Sequence, residues 1–277
     1  MGILDEAAAL NNEGNTLRDL KRFDEAVAVF DRAIALDPQF ADAWHNKGLA
    51  LLGLSRYDEA IAAFDRVITL NPQLAEAWSN KGIALRGLKQ HVEAIAAYDQ
   101  AIALNPQFAN MWNNKGNVLS DLRRHDEAIA AFDQAIALDP HYATAWNGKG
   151  LVLSALQQYN EAIAAFDRAT ALDPQYTNAW YNLGVTLKRL RLYEEAIAAY
   201  DRTIALDPHY ALAWYNKGNA LSELQRYNEA VAAYDQAIAL NPQFADAWYN
   251  KGIALRSLGK TREAEAAHRE YYRLGGQ

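Results

Sequence analysis

Between residues 41 and 74 the apolar positions fall at Trp44, Gly48, Leu51 and Leu52, and then at Ala60, Ile61, Phe64, Val67 and Ile68. Both sets advance in steps of three and four, the spacing that keeps side chains on one face of an α-helix. A polar stretch, Ser55 and Arg56, separates them, and Asp58 and Glu59 open the second set, where negative charge complements the helix dipole. The second helix is expected to stop at Leu70, because Asn71 precedes Pro72 and a proline pushes the residue before it out of the helical region. The stretch therefore predicts helix, short turn, helix.

The same pattern recurs every 34 residues. Trp stands at 44, 78, 112, 146, 180, 214 and 248, Pro six residues ahead of each, and Gly at 14, 48, 82, 116, 150, 184, 218 and 252. Each column has a packing reason. Gly48 and Ala60 lack bulk, so the two backbones can approach while Trp44 and Phe64 fill the flanking space. The expected units are residues 7–40, 41–74, 75–108, 109–142, 143–176, 177–210, 211–244 and 245–277.

The set Trp44, Gly48, Ala60, Phe64 and Pro72, repeated through nearly the whole chain, resembles the signature of the tetratricopeptide repeat (TPR) family. The resemblance implies an all-α fold, a right-handed α-α superhelical solenoid of TPR helical hairpins over residues 1–277, its first helices lining a concave groove and its second helices outside. The Asn-Lys-Gly step, as at Asn80-Lys81-Gly82, is similar to repeats common in bacterial and archaeal members, and a consensus-style array looks alike. Departures fall at the ends: Leu10 takes the Trp column, His268 the Phe column and Tyr271 the Ala column. Terminal units of a solenoid lose a neighbour and expose a polar face. Glu263, Glu265, His268, Arg269 and Glu270 suit that role, whereas Tyr271, Tyr272 and Leu274 leave the same helix apolar enough to touch something.

Composition narrows the function classes. With 51% hydrophobic residues, seven Pro and two Met, the chain suits helix and not disorder. A net charge of −7 argues against nucleic acid, whose phosphates must be met by clustered Lys and Arg. The absence of Cys excludes disulfides, thiolate metal sites and thiol nucleophiles. Acids stand where a signal peptide needs a basic region, and no uncharged apolar stretch reaches membrane-spanning length, so a cytoplasmic protein without a membrane partner is expected. Gly2 resembles a myristoylation start, but Glu6 stands where Ser or Thr is required.

Catalytic constellations do not assemble. The six histidines occupy several repeat columns, and His141 and His209, two repeats apart, are separated by roughly 20 Å if hairpins stack at about 10 Å each, too far to share a metal. Gly148, Lys149 and Gly150 invite a phosphate-loop reading, but Ala143 stands where its first glycine should be. Glu194 and Glu195 sit at a helix start, where they complement the dipole better than they form an acid and base pair. No enzyme activity, metal or cofactor is expected.

Binding signals are richer. A Lys column (Lys47, Lys81, Lys115, Lys149, Lys217 and Lys251) accompanies an Asp column running from Asp31 to Asp235. It reads either as a basic stripe for an acidic partner or, the favoured reading, as a ladder of partly buried ion pairs. The Asn column (Asn12, Asn46, Asn80, Asn114, Asn182, Asn216 and Asn250) is open between an inter-helix hydrogen bond and an amide that holds a peptide. One residue earlier, the column expected to face the groove reads Asn11, His45, Ser79, Asn113 and Asn147 and then changes to Tyr181, Tyr215 and Tyr249. Chaperone-binding family members clamp a terminal carboxylate with Lys, Asn and Arg, and these groove columns lack that Lys. A mixed aromatic and polar groove suits an extended peptide. The candidate peptide-binding residues are Asn114, Asn117, Tyr181, Asn182, Lys188, Tyr215, Asn216, Asn219, Tyr249, Asn250 and Arg256. The expected partner is a protein or extended peptide held by a scaffold; the alternative expectation is a structural module that self-associates through its terminal repeats.

Overall fold

The computed structural model describes residues 2–275, so the outer bounds of the expected solenoid, residues 1 and 277, lie outside the described residues. Sixteen α-helices and no strand occur among the described residues. They form eight helix pairs: α1 (Ile3–Asp19) with α2 (Phe23–Leu36), α3 (Ala41–Gly53) with α4 (Tyr57–Leu70), α5 (Ala75–Gly87) with α6 (His91–Leu104), and α7 (Ala109–Asp121) with α8 (His125–Leu138). The series continues with α9 (Ala143–Ala155) and α10 (Tyr159–Leu172), α11 (Thr177–Arg189) and α12 (Tyr193–Leu206), α13 (Ala211–Glu223) and α14 (Tyr227–Leu240), and α15 (Ala245–Ser257) and α16 (Thr261–Arg273). None of these helices is long and apolar enough to cross a membrane.

Two chemically distinct turns produce the alternation. Inside a hairpin the first helix ends on a residue in the left-handed region, with φ between 57° and 63° at Lys21, Ser55, Lys89, Arg123, Gln157, Arg191 and Gln225. Around Ser55 this lets its own N–H reach Leu52 O at 2.9 Å and the Arg56 N–H reach Leu51 O at 2.9 Å, satisfying carbonyls the helix end leaves open. Between hairpins the Asp-Pro or Asn-Pro step stops the helix, and Asp37 Oδ1 accepts from the Gln39 N–H at 2.9 Å. The Trp indole then closes the same turn: Trp44 Nε1 donates to Pro38 O at 3.1 Å, and Trp78, Trp112, Trp180, Trp214 and Trp248 repeat the bond to Pro72, Pro106, Pro174, Pro208 and Pro242. The fixed six-residue spacing of Pro and Trp thus reflects a hydrogen bond as well as packing.

Inside each hairpin the Gly column holds the helices close. A Cβ on Gly48 would lie 2.6 Å from the Phe64 ring, and Phe64 and Ala60 are fully buried. The helices group into two compact units, Met1–Pro140 and His141–Gln277, each of four hairpins. Within each unit, successive first helices touch one another, α1 with α3, α3 with α5 and α5 with α7 in one, α9 with α11, α11 with α13 and α13 with α15 in the other. The backbones of successive second helices stand farther apart, among the described residues, bridged at their starts by side chains such as Arg226, which pairs with Glu194 of α12 at 3.0 Å. First helices that meet while second helices stand apart bend each stack toward its first helices, so these line the inner face of each unit.

Candidate functional site

The inner face is built from a hydrogen-bond lattice that joins neighbouring hairpins. Asn46 Nδ2 donates to Asn11 Oδ1 at 3.0 Å, and Asn182 Nδ2 to Asn147 Oδ1 at 3.0 Å. Where the column becomes Tyr, the hydroxyl takes over as acceptor: Asn216 Nδ2 donates to Tyr181 Oη and Asn250 Nδ2 to Tyr215 Oη, both at 3.0 Å. A cation from the preceding first helix meets the other end of the amide, Arg18 Nη1 to Asn46 Oδ1 at 2.9 Å and Lys188 Nζ to Asn216 Oδ1 at 2.6 Å. For these residues the inter-helix hydrogen bond is present. His45, in the same column as Asn11, is half-buried, and burial holds its pKa below the usual histidine value.

The tyrosines of the inner face also hold the stack together. The Tyr181 ring lies 5.0 Å from Tyr210 and 6.1 Å from Tyr200, and the Tyr215 ring 4.6 Å from Phe244 and 6.1 Å from Tyr234. Both are half-buried, whereas Tyr249 is 41% exposed. Tyr181 and Tyr215 therefore build the wall, and Tyr249 presents a ring.

Beside these residues the His141–Gln277 unit carries an open cavity of about 450 Å³, lined by Lys188, Tyr193, Asn219, Ser222, Glu223, Tyr234, Asn250 and Ile253. It gathers three of the candidates, Lys188, Asn219 and Asn250, while Asn216 touches it through Lys188. Asn219 Oδ1 accepts from both Tyr234 Oη at 2.8 Å and Asn250 Nδ2 at 2.9 Å. Its own Nδ2 has no acceptor among the described residues. Lys188 makes no ion pair among the described residues; burial and the neighbouring Arg189 lower its pKa, against the pull of Glu223, which itself accepts from Tyr193 Oη at 3.2 Å. Arg256 is exposed beyond this cavity on α15, and Asn182 is half-buried on α11.

The Met1–Pro140 unit carries a counterpart, a cavity of about 600 Å³ whose lining includes Tyr57, Ile83, Arg86, Tyr98 and Asn114. These occupy the columns of Tyr193, Asn219, Ser222, Tyr234 and Asn250, four 34-residue periods earlier. The chemistry differs: Ile83 stands for Asn219, and Arg86 is neutralised by Asp121 at 2.7 Å. Asn114 lines this cavity, and Asn117, half-buried on α7, takes the column of Ile253. Sequence reasoning missed Tyr193, Glu223, Tyr234 and Ile253. The available signal was Tyr in a Phe column, since a buried hydroxyl needs a partner.

The Lys and Asp columns meet as a ladder. Lys47 with Asp31, Lys81 with Asp65, Lys115 with Asp99, Lys217 with Asp201 and Lys251 with Asp235 all pair at 2.6 Å. Each of these lysines also sits over the Trp of its own repeat, 5.1 to 5.7 Å from the ring centroid. They bind hairpin to hairpin, as the favoured reading of the two columns expects.

A model of the tetratricopeptide repeat matches residues 11–75, 45–109, 113–177 and 149–211, and further repeat models match residues 199–232, 218–259 and 245–274. No curated protein matches the chain. Among solved structures, YrrB, described as a TPR protein with an unusual peptide-binding site, is 26% identical with a TM-score of 0.58, over 69% of this chain and 98% of YrrB. The MamA protein is 24% identical with a TM-score of 0.58, over 61% of this chain and 92% of MamA. The pilF protein of Pseudomonas aeruginosa is 20% identical with a TM-score of 0.65, over 73% and 92%. The last two are likenesses of fold. With repeat models matching well over half of its residues, and its Trp, Gly and Pro columns accounted for by hairpin contacts, the chain belongs to the tetratricopeptide repeat family.

Proposed function

We propose that the chain is a protein-interaction scaffold that holds an extended peptide against the inner face of the His141–Gln277 unit. The observation that supports it best is the cavity where, among the described residues, Lys188 offers an ammonium without a carboxylate partner and Asn219 Nδ2 has no acceptor. A peptide laid along α13 and α15 places backbone carbonyls on Asn219 and an acidic side chain on Lys188. Its apolar side chains rest on Tyr249 and Ile253, each 41% exposed. Tyr181, Tyr215, Asn182 and Asn216 act in this reading by fixing the wall, and Arg256 extends the basic edge. The peptide-binding description of YrrB fits the same use of the fold. The chain works without catalysis, in the cytoplasm, in this reading.

The test is peptide selection against the full chain from a random library, followed by affinity measurement on variants. Lys188→Glu and Asn219→Leu are each expected to weaken the selected peptides about tenfold or more, equivalent to ~1.4 kcal/mol. Arg86→Gln, in the other unit, is expected to leave affinity unchanged. Peptides that bind all three variants as they bind the parent would remove this site.

A further inference from the structure

Successive hairpins within each unit meet through one recurring set of contacts. The Lys of a first helix pairs with the Asp on the second helix of the hairpin before it, as Lys251 does with Asp235. The Asn of the neighbouring column donates to the preceding first helix, Asn46 to Asn11 Oδ1 in one unit and Asn250 to Tyr215 Oη in the other. A small residue three positions before the Asn, such as Ala43 or Ala247, packs against Ala33 and Ile34 or Ala237 and Ile238.

The two outer faces of the described chain carry the same columns with the charges exchanged. On α1 the incoming set reads Ala9, Asn12 and Glu13, all exposed, with Glu in the column that is Lys in six of the other first helices and Leu183 in α11. On the last hairpin the receiving set reads Tyr249, Arg269 and Tyr272, also exposed, with Arg where every other second helix has Asp. Neither Glu13 nor Arg269 makes an ion pair among the described residues. Two further positions change together. Ile197 clusters with Ala220 across an interior seam, and their columns become Glu265 and Thr16 at the outer faces. The slot on Tyr215 that Phe244 fills from the next hairpin is filled on Tyr249 by Tyr271 of its own hairpin, at 4.9 Å, and α1 carries Glu6 in place of that aromatic.

We propose that these two faces bind each other in different copies of the chain: the α15 and α16 face of one copy receives α1 of a second. Arg269 then pairs with Glu13, Asn12 donates to Tyr249 Oη, and Ala9 covers Tyr272. The contact is heterologous, head to tail. Exchanged signs make it selective, because Glu13 against an interior Asp, or Arg269 against an interior Lys, is a like-charge meeting. The inference goes beyond the peptide-binding reading and does not depend on it.

The test is light scattering of the full chain over a wide concentration range at low and high salt. Average mass is expected to rise with concentration, and less steeply at high salt. Glu13→Lys alone and Arg269→Asp alone each set like charges together and are expected to weaken association about tenfold. The double variant rebuilds an interior-type pair and is expected to recover it. Circular dichroism checks that the variants, both on exposed side chains, remain folded. A strictly monomeric parent, indifference to the single substitutions, or a double variant no better than the singles overturns the proposal.

Discussion

Tyr200 and Tyr234 fill the same column, and a single residue elsewhere decides what their hydroxyls do. Both rings are buried, and burial raises both phenol pKa values well above the ordinary range. Tyr234 Oη donates to Asn219 Oδ1 at 2.8 Å, whereas Val185 stands in the Asn219 column for Tyr200, whose Oη has no partner among the described residues. An unpaired buried hydroxyl is destabilising, and a paired one contributes modestly. Tyr200→Phe is therefore expected to raise stability by about 1 kcal/mol and Tyr234→Phe to lower it by about 1 kcal/mol, read as opposite shifts in urea midpoint. A loss of stability in Tyr200→Phe would contradict this assignment. The sequence alone shows Tyr exchanging with Phe in a core column but not the fate of the hydroxyl, since the deciding residue lies fifteen positions earlier on the facing helix. The Asn column was ambiguous for a similar reason. Asn250 and Tyr215 are 35 residues apart and meet only once the hairpins stack.

At the scale of the helix pair, most of the architecture was legible because its causes are local. Pro72 ends α4, Gly82 admits the Tyr98 ring, and Trp78 Nε1 bonds back to Pro72 O, all within one period. The intra-hairpin turn was legible only as a polar break. Its central residue needs a left-handed backbone, which favours glycine, yet Lys89 and Gln157 occupy it at φ 60° and 63°, and in this column only Gly259 shows the requirement openly. A side chain in that region carries a steric penalty that glycine lacks, partly offset by glycine's greater freedom when unfolded. Lys89→Gly and Gln157→Gly are each expected to stabilise by about 0.5–1 kcal/mol and, lying in different units, to add in the double variant. Thermal unfolding of the three variants checks this; a lower midpoint in either single would count against strain at the turn.

At the scale of the stacked unit, the governing fact is the range of the contacts. In the Met1–Pro140 unit α2 meets α1 and α3, and no helix among the described residues touches one beyond the adjoining hairpin. Stability in such a stack is a sum of hairpin terms and nearest-neighbour seams, so damage should spread by seams and fade with distance. Phe30, fully buried against the Gly14 face, is a suitable point to apply the damage. Phe30→Ala removes the ring that fills the first hairpin and is expected to cost about 3–5 kcal/mol locally. Hydrogen exchange should then show α1 and α2 losing most protection, α3 and α4 losing part of it through the seam that Lys47 and Asp31 close, and α7 and α8 keeping the parent rates. Equal loss across all eight helices would mean that the seams are strong enough to make the four hairpins unfold as one. The peptide reading has a stake in the outcome, because a stack that opens seam by seam can reshape one groove cavity without disturbing its neighbours, whereas an all-or-none stack presents its inner face whole or not at all.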